Sequence, residues 1–518
     1  MYSRQPAWGY FDHPPFVALM IRLGYSLFSN ELGVRLVPVV FSTLTIALLE
    51  KLIQPRELKS FFMLVASVGI LHFVGFMALP DSPLLFFLAA YLLLYKSFAT
   101  APDMRKAFFL GCVAAMMCLS KYHGIIIIGL TVLSNPKWLV NRYFWFAALV
   151  GLILLAPHIL WQVEADFPSI RYHLFERSRE PYHFSYTLEY VLTQLFVLGP
   201  LTGILFFIAA AREKAKDIFE RALRFLFWGG YLFFFLMSFK GRVEGHWTLY
   251  TVLPGLYFAY RFWTKGERRK RVLSYVFWVS ISLIVAARLL IVVDFKDGAP
   301  SVLADLTKPF HNREDMLAIK RVAGDLPVAF MNSYQKASLY TFYSGSEGFS
   351  LNNVFGRKNQ FDIWNAEDTY RGRTIMLIPN YDIKGFERIP GVSEELQYTF
   401  IENFQSFSSI RIDVSGFRQM VEAGDTLHLT LRLTAPANRH LDLSANPDLP
   451  VYLYYEFFEG EQVIKKVKVR PISNELLDKP LSIDVVLPEE LPAHLSLAFS
   501  LKAGWLPLTM NSRRYVVL

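Results

Sequence analysis

Cysteine is nearly missing from this chain. Two occur, Cys112 and Cys118, six apart inside one apolar run with no histidine beside them. That excludes a disulfide framework and a zinc site built on thiolates, and predicts two buried free thiols. Charge is sparse as well: 19% of residues are charged against 53% hydrophobic and 16% aromatic, with a positive mean hydropathy of +0.31. An ordinary soluble enzyme is less apolar than this. The phosphate-binding loop of nucleotide enzymes, the dinucleotide fingerprint, the nucleophile elbow and the HExxH zinc motif are all missing. A cytoplasmic nucleotide site therefore has no support. No basic stripe interleaved with aromatics occurs, so the net charge of +9 does not point to nucleic acid. The chain shows no cleavable signal peptide, internal repeat or low-complexity linker.

What the chain does have is long apolar runs. About ten fill the first 293 residues, most of them near the length a membrane crossing requires: 33–50, 60–79, 82–98, the short pair 107–119 and 122–134, 143–161, 187–211, 222–239, 246–263 and 271–293. The shorter, Arg22-bearing segment 16–28 reads as an interfacial helix. The gaps between runs alternate in character. Lys51 to Lys59, Lys96 to Lys106, Lys137 to Arg142, Arg212 to Arg224 and Lys265 to Arg271 are rich in Lys and Arg and read as cytoplasmic loops. The others carry Asp, His, Glu and Trp and gather on the outer face: 1–15, the turn at Asp81, the turn 120–124, the loop 162–186 and the loop 239–246. An even number of crossings must separate Arg105 and Lys106 from Lys137 and Arg142. The runs 107–119 and 122–134 are therefore read as two helices joined by a tight turn at Ser120-Lys121-Tyr122-His123-Gly124.

Hydropathy falls after Val293. Residues 294–405 mix a helix-like stretch (REDMLAIKRVAG) with strand-like runs (PVAFMNS, TIMLIPN) and read as a small α/β domain. From 406 to 518, six runs alternate with period two between turn residues and read as a β-sandwich. The fold class is thus a polytopic α-helical membrane domain over 1–293, followed by the soluble α/β unit and the C-terminal sandwich.

The candidate chemistry lies on the outer segments. Asp12 and His13 precede Pro14-Pro15: a carboxylate beside an imidazole suits phosphate or metal binding or acid/base work, while Asp12 could equally cap a helix started by proline. Asp81 stands at a helix start, as an ordinary N-terminal residue or as an acid facing a cavity. Lys121, with Tyr122 and His123, breaks the positive-inside pattern, either by snorkelling or by meeting an anionic group. The loop 158–186 contains Trp161, Glu164, Asp166, Arg171, His173, Glu176, Arg177 and Arg179, which taken singly read as a solvated amphipathic loop. In FKGRVEGHW, Lys240, Arg242, Glu244, His246 and Trp247 put two cations, an acid, an imidazole and an indole within eight residues. That set suits a phosphate with a sugar stacked on the indole. The spacing matches no strict metal motif. No cofactor is indicated, and a divalent metal stays open.

At these residues a resemblance becomes legible. WGYFDHPPF, LPDSPLLFF, LSKYHG, PHILWQVEADFPSIRYH and FKGRVEGHW, with GRKNQFDIW at 356–364, resemble the bacterial membrane glycosyltransferases related to protein O-mannosyltransferases and to the aminoarabinose transferases of lipid A. The likeness covers roughly residues 8–365 and is specific as an ensemble. It implies a GT-C enzyme moving a hexose or pentose from a polyprenyl-phosphate donor, such as undecaprenyl phosphate, to a lipid, protein or glycan acceptor. The active site would be a cavity at the outer face of the bacterial inner membrane, with the C-terminal domains periplasmic. Asp12 and His13 resemble the family's acidic–basic pair before Pro-Pro, in which the basic residue faces the donor phosphate. Asp81 resembles the acid at the corresponding helix start, and Lys240 and Arg242 resemble the cations of the later outer loop. Asp81 and Asp12 are then the candidate catalytic acids; His13, Lys121, Tyr122, Trp161, Lys240, Arg242, Glu244, His246 and Trp247 would bind substrate. The family pattern also begins with a further helix and an outer Asp-Glu pair upstream of the WGY-like stretch. Here Trp8 is only seven residues after Met1, so the expectation is a start set too late, with the usual base upstream. A flippase for a lipid-linked sugar is the rival reading, but it should show related halves or broken mid-membrane helices. A non-catalytic membrane scaffold is the third.

Overall fold

The computed structural model describes residues 1–177, 182–199, 201–292, 312–392, 395–417, 422–436, 441–460, 462–492 and 495–517. Two compact units divide at Val293/Asp294.

The first unit is helical. Its helices are α1 (Phe16–Leu27), α2 (Glu31–Ile53), α3 (Leu58–Ala66), α4 (Gly69–Val74), α5 (Asp81–Thr100), α6 (Met104–Ser120), α7 (His123–Ser134), α8 (Arg142–Glu164), α9 (Pro168–Arg171), α10 (Phe184–Val197), α11 (Thr202–Arg212), α12 (Ile218–Arg224), α13 (Gly230–Ser238), α14 (Val252–Trp263) and α15 (Glu267–Val292). Four of them, α2, α5, α8 and α15, are long and apolar enough to cross a membrane unaided. Several expected spans are assembled from shorter pieces. The run 60–79 breaks between α3 and α4 at Ser67 and Val68. The run 187–211 breaks between α10 and α11, where Gly199 has φ +100°, a conformation that glycine adopts without Cβ strain. The run 246–263 begins as a 3₁₀ turn over Gly245–Thr251 before α14. A π-helical turn at Phe225–Gly229 joins α12 to α13. Hydropathy averages over such breaks and cannot register them.

The helices exchange contacts at both ends in the manner of antiparallel neighbours. At the Lys/Arg-rich end, Trp138 Nε1, just past α7, donates to Tyr95 Oη near the end of α5 at 3.0 Å. Arg221 donates to Asn135 Oδ1 at 3.2 Å, Lys265 pairs with Glu213 at 2.6 Å, and Lys270 with Glu57. The reversal between α6 and α7 falls at Lys121, as the charge argument expects. Small residues bring α6 against α8: a Cβ on Gly111 would lie 2.3 Å from the Ala147 carbonyl oxygen. Only glycine permits that approach, a common device of membrane helix pairs.

In the second unit, helix Asn312–Ala323 precedes strands β1 (Val328–Met331), β2 (Gly348–Leu351), β3 (Ile375–Ile378), β4 (Glu387–Arg388) and β5 (Gln397–Ile401). They form one sheet in the order β2-β1-β3-β5-β4, parallel through β2-β1-β3 and antiparallel beyond. The central strands are buried along their whole length, which accounts for their unbroken apolar runs. All six period-two runs are strands: β6 (Arg411–Ser415), β7 (Thr426–Thr434), β8 (Val451–Glu459), β9 (Gln462–Pro471), β10 (Pro480–Val486) and β11 (Leu495–Ala503), with a short β12 (Tyr515–Val516). They make two sheets, β10-β7-β6 and β12-β11-β8-β9. β7 and β10 alternate buried and exposed residues. Leu427, Leu429, Leu431 and Leu433 fill one core with Leu453, Phe457 and Phe499. Within GRKNQFDIW, the Asn359 side chain caps helix Gln360–Ile363, and Asp362 accepts from Asn359 N and Asn352 Nδ2. That run builds local structure.

Candidate active site

The polar segments of the helical unit converge at the end opposite the Lys/Arg-rich loops. At its centre Lys121 Nζ donates to Asp81 Oδ1 and Oδ2 at 2.7 and 2.9 Å. The two side chains are 8% and 4% exposed. Asp81 is the first residue of α5 and makes no capping hydrogen bond, so the reading of an ordinary helix-start residue does not account for it. Lys121 ends α6 in extended conformation, and that turn delivers its ammonium to Asp81. An ion pair so enclosed costs several kcal/mol of lost hydration per ion and persists only with close geometry.

Around this pair the N-terminal stretch is held as a rail that bends at Phe11–His13, where Tyr10 N donates to His13 O at 3.0 Å. His158 Nδ1 lies 2.6 Å from the Trp8 carbonyl oxygen, Ser169 Oγ donates to Tyr10 O at 3.1 Å, and His173 Nε2 lies 3.0 Å from Asp12 O. Alternate carbonyls are thus each met by a side chain from α8 or the loop that follows it. Burial holds His173 below the ordinary imidazole range, so it is neutral at pH 7 and donates Nε2–H to the carbonyl. Gly9 fits beneath Trp161, since a Cβ there would lie 2.2 Å from the indole ring. Gln162 ties the two layers together, donating to Tyr122 Oη at 2.9 Å and to Ser169 Oγ at 2.8 Å.

Asp12 is no helix cap. α1 starts at Phe16, with Pro15 in the capping position and no side-chain cap. Its Oδ1 accepts from Tyr2 Oη at 3.2 Å and stands 4.0 Å from His13 Nε2. On the later loop, Arg177 donates to Glu244 Oε1 at 3.0 Å and lies 4.4 Å above the Trp247 ring. Trp247 in turn meets His123 edge-on at 5.8 Å, and His123 stacks on Phe234 at 5.3 Å. The buried His123 Nε2 has no hydrogen-bond partner among the described residues. Arg242 pairs with Glu189 at 3.4 Å; Lys240 and His246 are exposed. Arg171 pairs with Asp166 on the surface, and Arg179 lies outside the described residues.

Asp81, Lys121 and Tyr122 thus fall in one neighbourhood with Trp161, and Glu244 and Trp247 in another that reaches the first turn of α7 through His123. Sequence reasoning left out His123, His158, Gln162, Ser169, His173 and Arg177 as site residues. His158, a polar side chain inside the apolar run 143–161, was a usable signal. Ser169 gave none. Among the described residues, no three His, Cys, Asp or Glu side chains stand close enough together to hold a metal.

Residues 12–161 match the family model of dolichyl-phosphate-mannose-protein mannosyltransferases. No curated protein sequence matches significantly. Two crystal structures share the fold, both of ArnT from Cupriavidus metallidurans. The one bound to undecaprenyl phosphate superposes with TM-score 0.54 at 12% identity, covering 76% of this chain and 88% of that one. The apo form gives 0.55 at 14%, covering 77% and 91%. The chain is thus similar to this mannosyltransferase family over residues 12–161 and shares the fold of ArnT over 76–77% of its length.

Proposed function

We propose that this chain is a GT-C membrane glycosyltransferase that takes its sugar from a polyprenyl-phosphate donor and works at the outer face of the bacterial inner membrane, with its C-terminal unit in the periplasm. The observation that carries the reading is the enclosed Lys121–Asp81 pair at the polar end of the bundle. It holds one cation and one carboxylate in contact where a phosphate leaves and a hydroxyl must lose a proton. The ArnT structure with undecaprenyl phosphate supports the choice of donor.

In the step proposed, an acceptor hydroxyl oxygen attacks the anomeric carbon and the bond from that carbon to the phosphate oxygen breaks. The phosphate departs with the bonding pair, its charge offset by Lys121, His13 in its protonated form, Lys240 and Arg242. The hydroxyl proton passes to a carboxylate, for which Asp81 is the leading candidate and Asp12 the second. Arrival of the phosphate draws Lys121 away from Asp81 and so frees the base. Tyr122 and Trp161 flank this point, while Trp247, backed by Arg177 and Glu244 and next to His246, offers the sugar an aromatic face.

The test is transfer from a radiolabelled undecaprenyl-phosphate sugar in membranes. Asp81→Asn and Lys240→Ala should each abolish transfer while the chain remains folded by size-exclusion profile. Full activity in both removes the site assignment.

A further inference from the structure

Two arginines stand where apolar helices should carry none. Arg35 lies four residues after the start of α2, and Arg288 four residues before the end of α15. Both helices are among the four long and apolar enough to cross a membrane unaided. Each arginine is therefore about 6 Å inside its helix end. Both of these ends lie opposite the Lys/Arg-rich loops, since the first turn of α15 is held there by the pairing of Lys270 with Glu57, and α2 runs towards that same side. Membrane proteins retain their cations at the Lys/Arg-rich end, and arginine within a membrane helix is rare and costly.

The two side chains meet at one ring. The guanidinium carbons of Arg35 and Arg288 lie 5.5 and 5.6 Å from the centre of Phe76. The charges thus stand no farther apart than about 11 Å, twice that distance, and they repel. Arg288 Nη2 also donates to His72 O at 2.9 Å, which fixes its fork. Among the described residues, neither arginine has a carboxylate within ion-pair distance. By contrast, Arg177 over Trp247 holds Glu244, and Arg261 over Tyr257 holds Glu213 and Glu220. Snorkelling explains either arginine singly. It does not explain why two helices far apart in sequence deliver like charges to one ring, which has no net charge to balance them.

The balancing charge comes from the surroundings. Leu32 and Val39, one turn to either side of Arg35, are exposed, and so is Val285, one turn before Arg288. On membrane helices these side chains face lipid tails. A soluble macromolecule does not reach a site below the helix ends, whereas a lipid phosphate lies at that depth. The guanidinium fork matches phosphate oxygens, and two cations favour a headgroup of net negative charge over a zwitterionic one. We propose that Arg35 and Arg288 bind the phosphate of an anionic phospholipid, clamped across Phe76. The clamp bears on α5: Ser82, next after Asp81, donates to Val74 O and Met77 O at 3.0 and 3.1 Å, on either side of Phe76. A lipid that steadies Phe76 steadies the start of that helix.

The test is native mass spectrometry of the full chain released from detergent micelles, with phosphatidylglycerol, phosphatidylcholine and undecaprenyl phosphate offered in turn. Wild type should retain one phosphatidylglycerol about tenfold more tightly than phosphatidylcholine. Arg35→Gln and Arg288→Gln should each weaken phosphatidylglycerol binding about tenfold, the worth of one charge-assisted contact. Arg35→Lys and Arg288→Lys, which keep the charge and lose the fork, should lose less, and they carry the test if a Gln variant fails to fold. Inorganic phosphate should not displace the lipid. Equal retention of the two phospholipids, retention untouched by the substitutions, displacement by inorganic phosphate, or losses confined to undecaprenyl phosphate would overturn the proposal. The transfer step assigns no role to either arginine, so failure here leaves that step standing.

Discussion

Breaking the Asp81–Lys121 pair from either side should be costly, and breaking both sides together should cost less than the sum. At a mean separation near 2.8 Å and an effective dielectric of about 20, the mutual attraction is ~6 kcal/mol. Lost hydration of two ions, several kcal/mol each, cancels much of it. Removing one partner forfeits the attraction and leaves the other ion enclosed and unpaired, with side-chain exposures of only 8% and 4%. Lys121→Met and Asp81→Asn should therefore each destabilise the chain by ~3–5 kcal/mol. The double variant buries no charge and should recover ~1–3 kcal/mol relative to additivity. Unfolding of purified chain in mixed micelles, followed by tryptophan fluorescence, measures all four corners of the cycle. Losses that add to within about 0.5 kcal/mol would refute the reasoning. Transfer separates structure from chemistry: the double variant should be stable yet inactive, and a stable, active double variant would make the pair a structural element alone.

The rail formed by residues 8–13 gives two further expectations. Gly9→Ala drives a methyl into the Trp161 ring at 2.2 Å, so transfer should fall at least tenfold, and Trp161→Ala should partly restore it in the double variant. Ser169→Ala leaves the Tyr10 carbonyl and Gln162 short of a partner and should cost ~1–3 kcal/mol, read by the same fluorescence titration. In the soluble unit, burial raises Glu367 to about 7 and Glu456 to about 8. The folded state then holds protons that the unfolded state releases near pH 4.5. Stability of that unit should fall as pH rises from about 4.5 to about 8, by ~3 kcal/mol or more for each group. Glu367→Gln and Glu456→Gln should flatten the profile; urea titrations at pH 5 and pH 8 that match in wild type would contradict it.

Much of the architecture was legible because it depends on local pattern. Strands β6 through β11 follow from period-two alternation, since one face of each meets a core. The reversal at Lys121 follows from charge: cations on both flanks of 107–134 demand an even number of crossings. The outer candidates were legible as types of residue, and Asp81 and Lys121 were each singled out, though not as a pair. The helix breaks were hidden because hydropathy is an average over composition, while the interruptions at Ser67-Val68 and near Gly199 depend on what the neighbouring helices demand.

By itself, then, the sequence determined which segments are apolar enough for a membrane, which loops gather Lys and Arg, which strands alternate, and which acids and bases share one face. Only tertiary structure decided how those groups are used. Asp81 meets Lys121 across 40 residues, and Trp8, Tyr10 and Asp12 meet His158, Ser169 and His173 across 150 or more. Such contacts leave no trace in local periodicity, because a buried polar group takes whichever partner packing brings within about 3 Å.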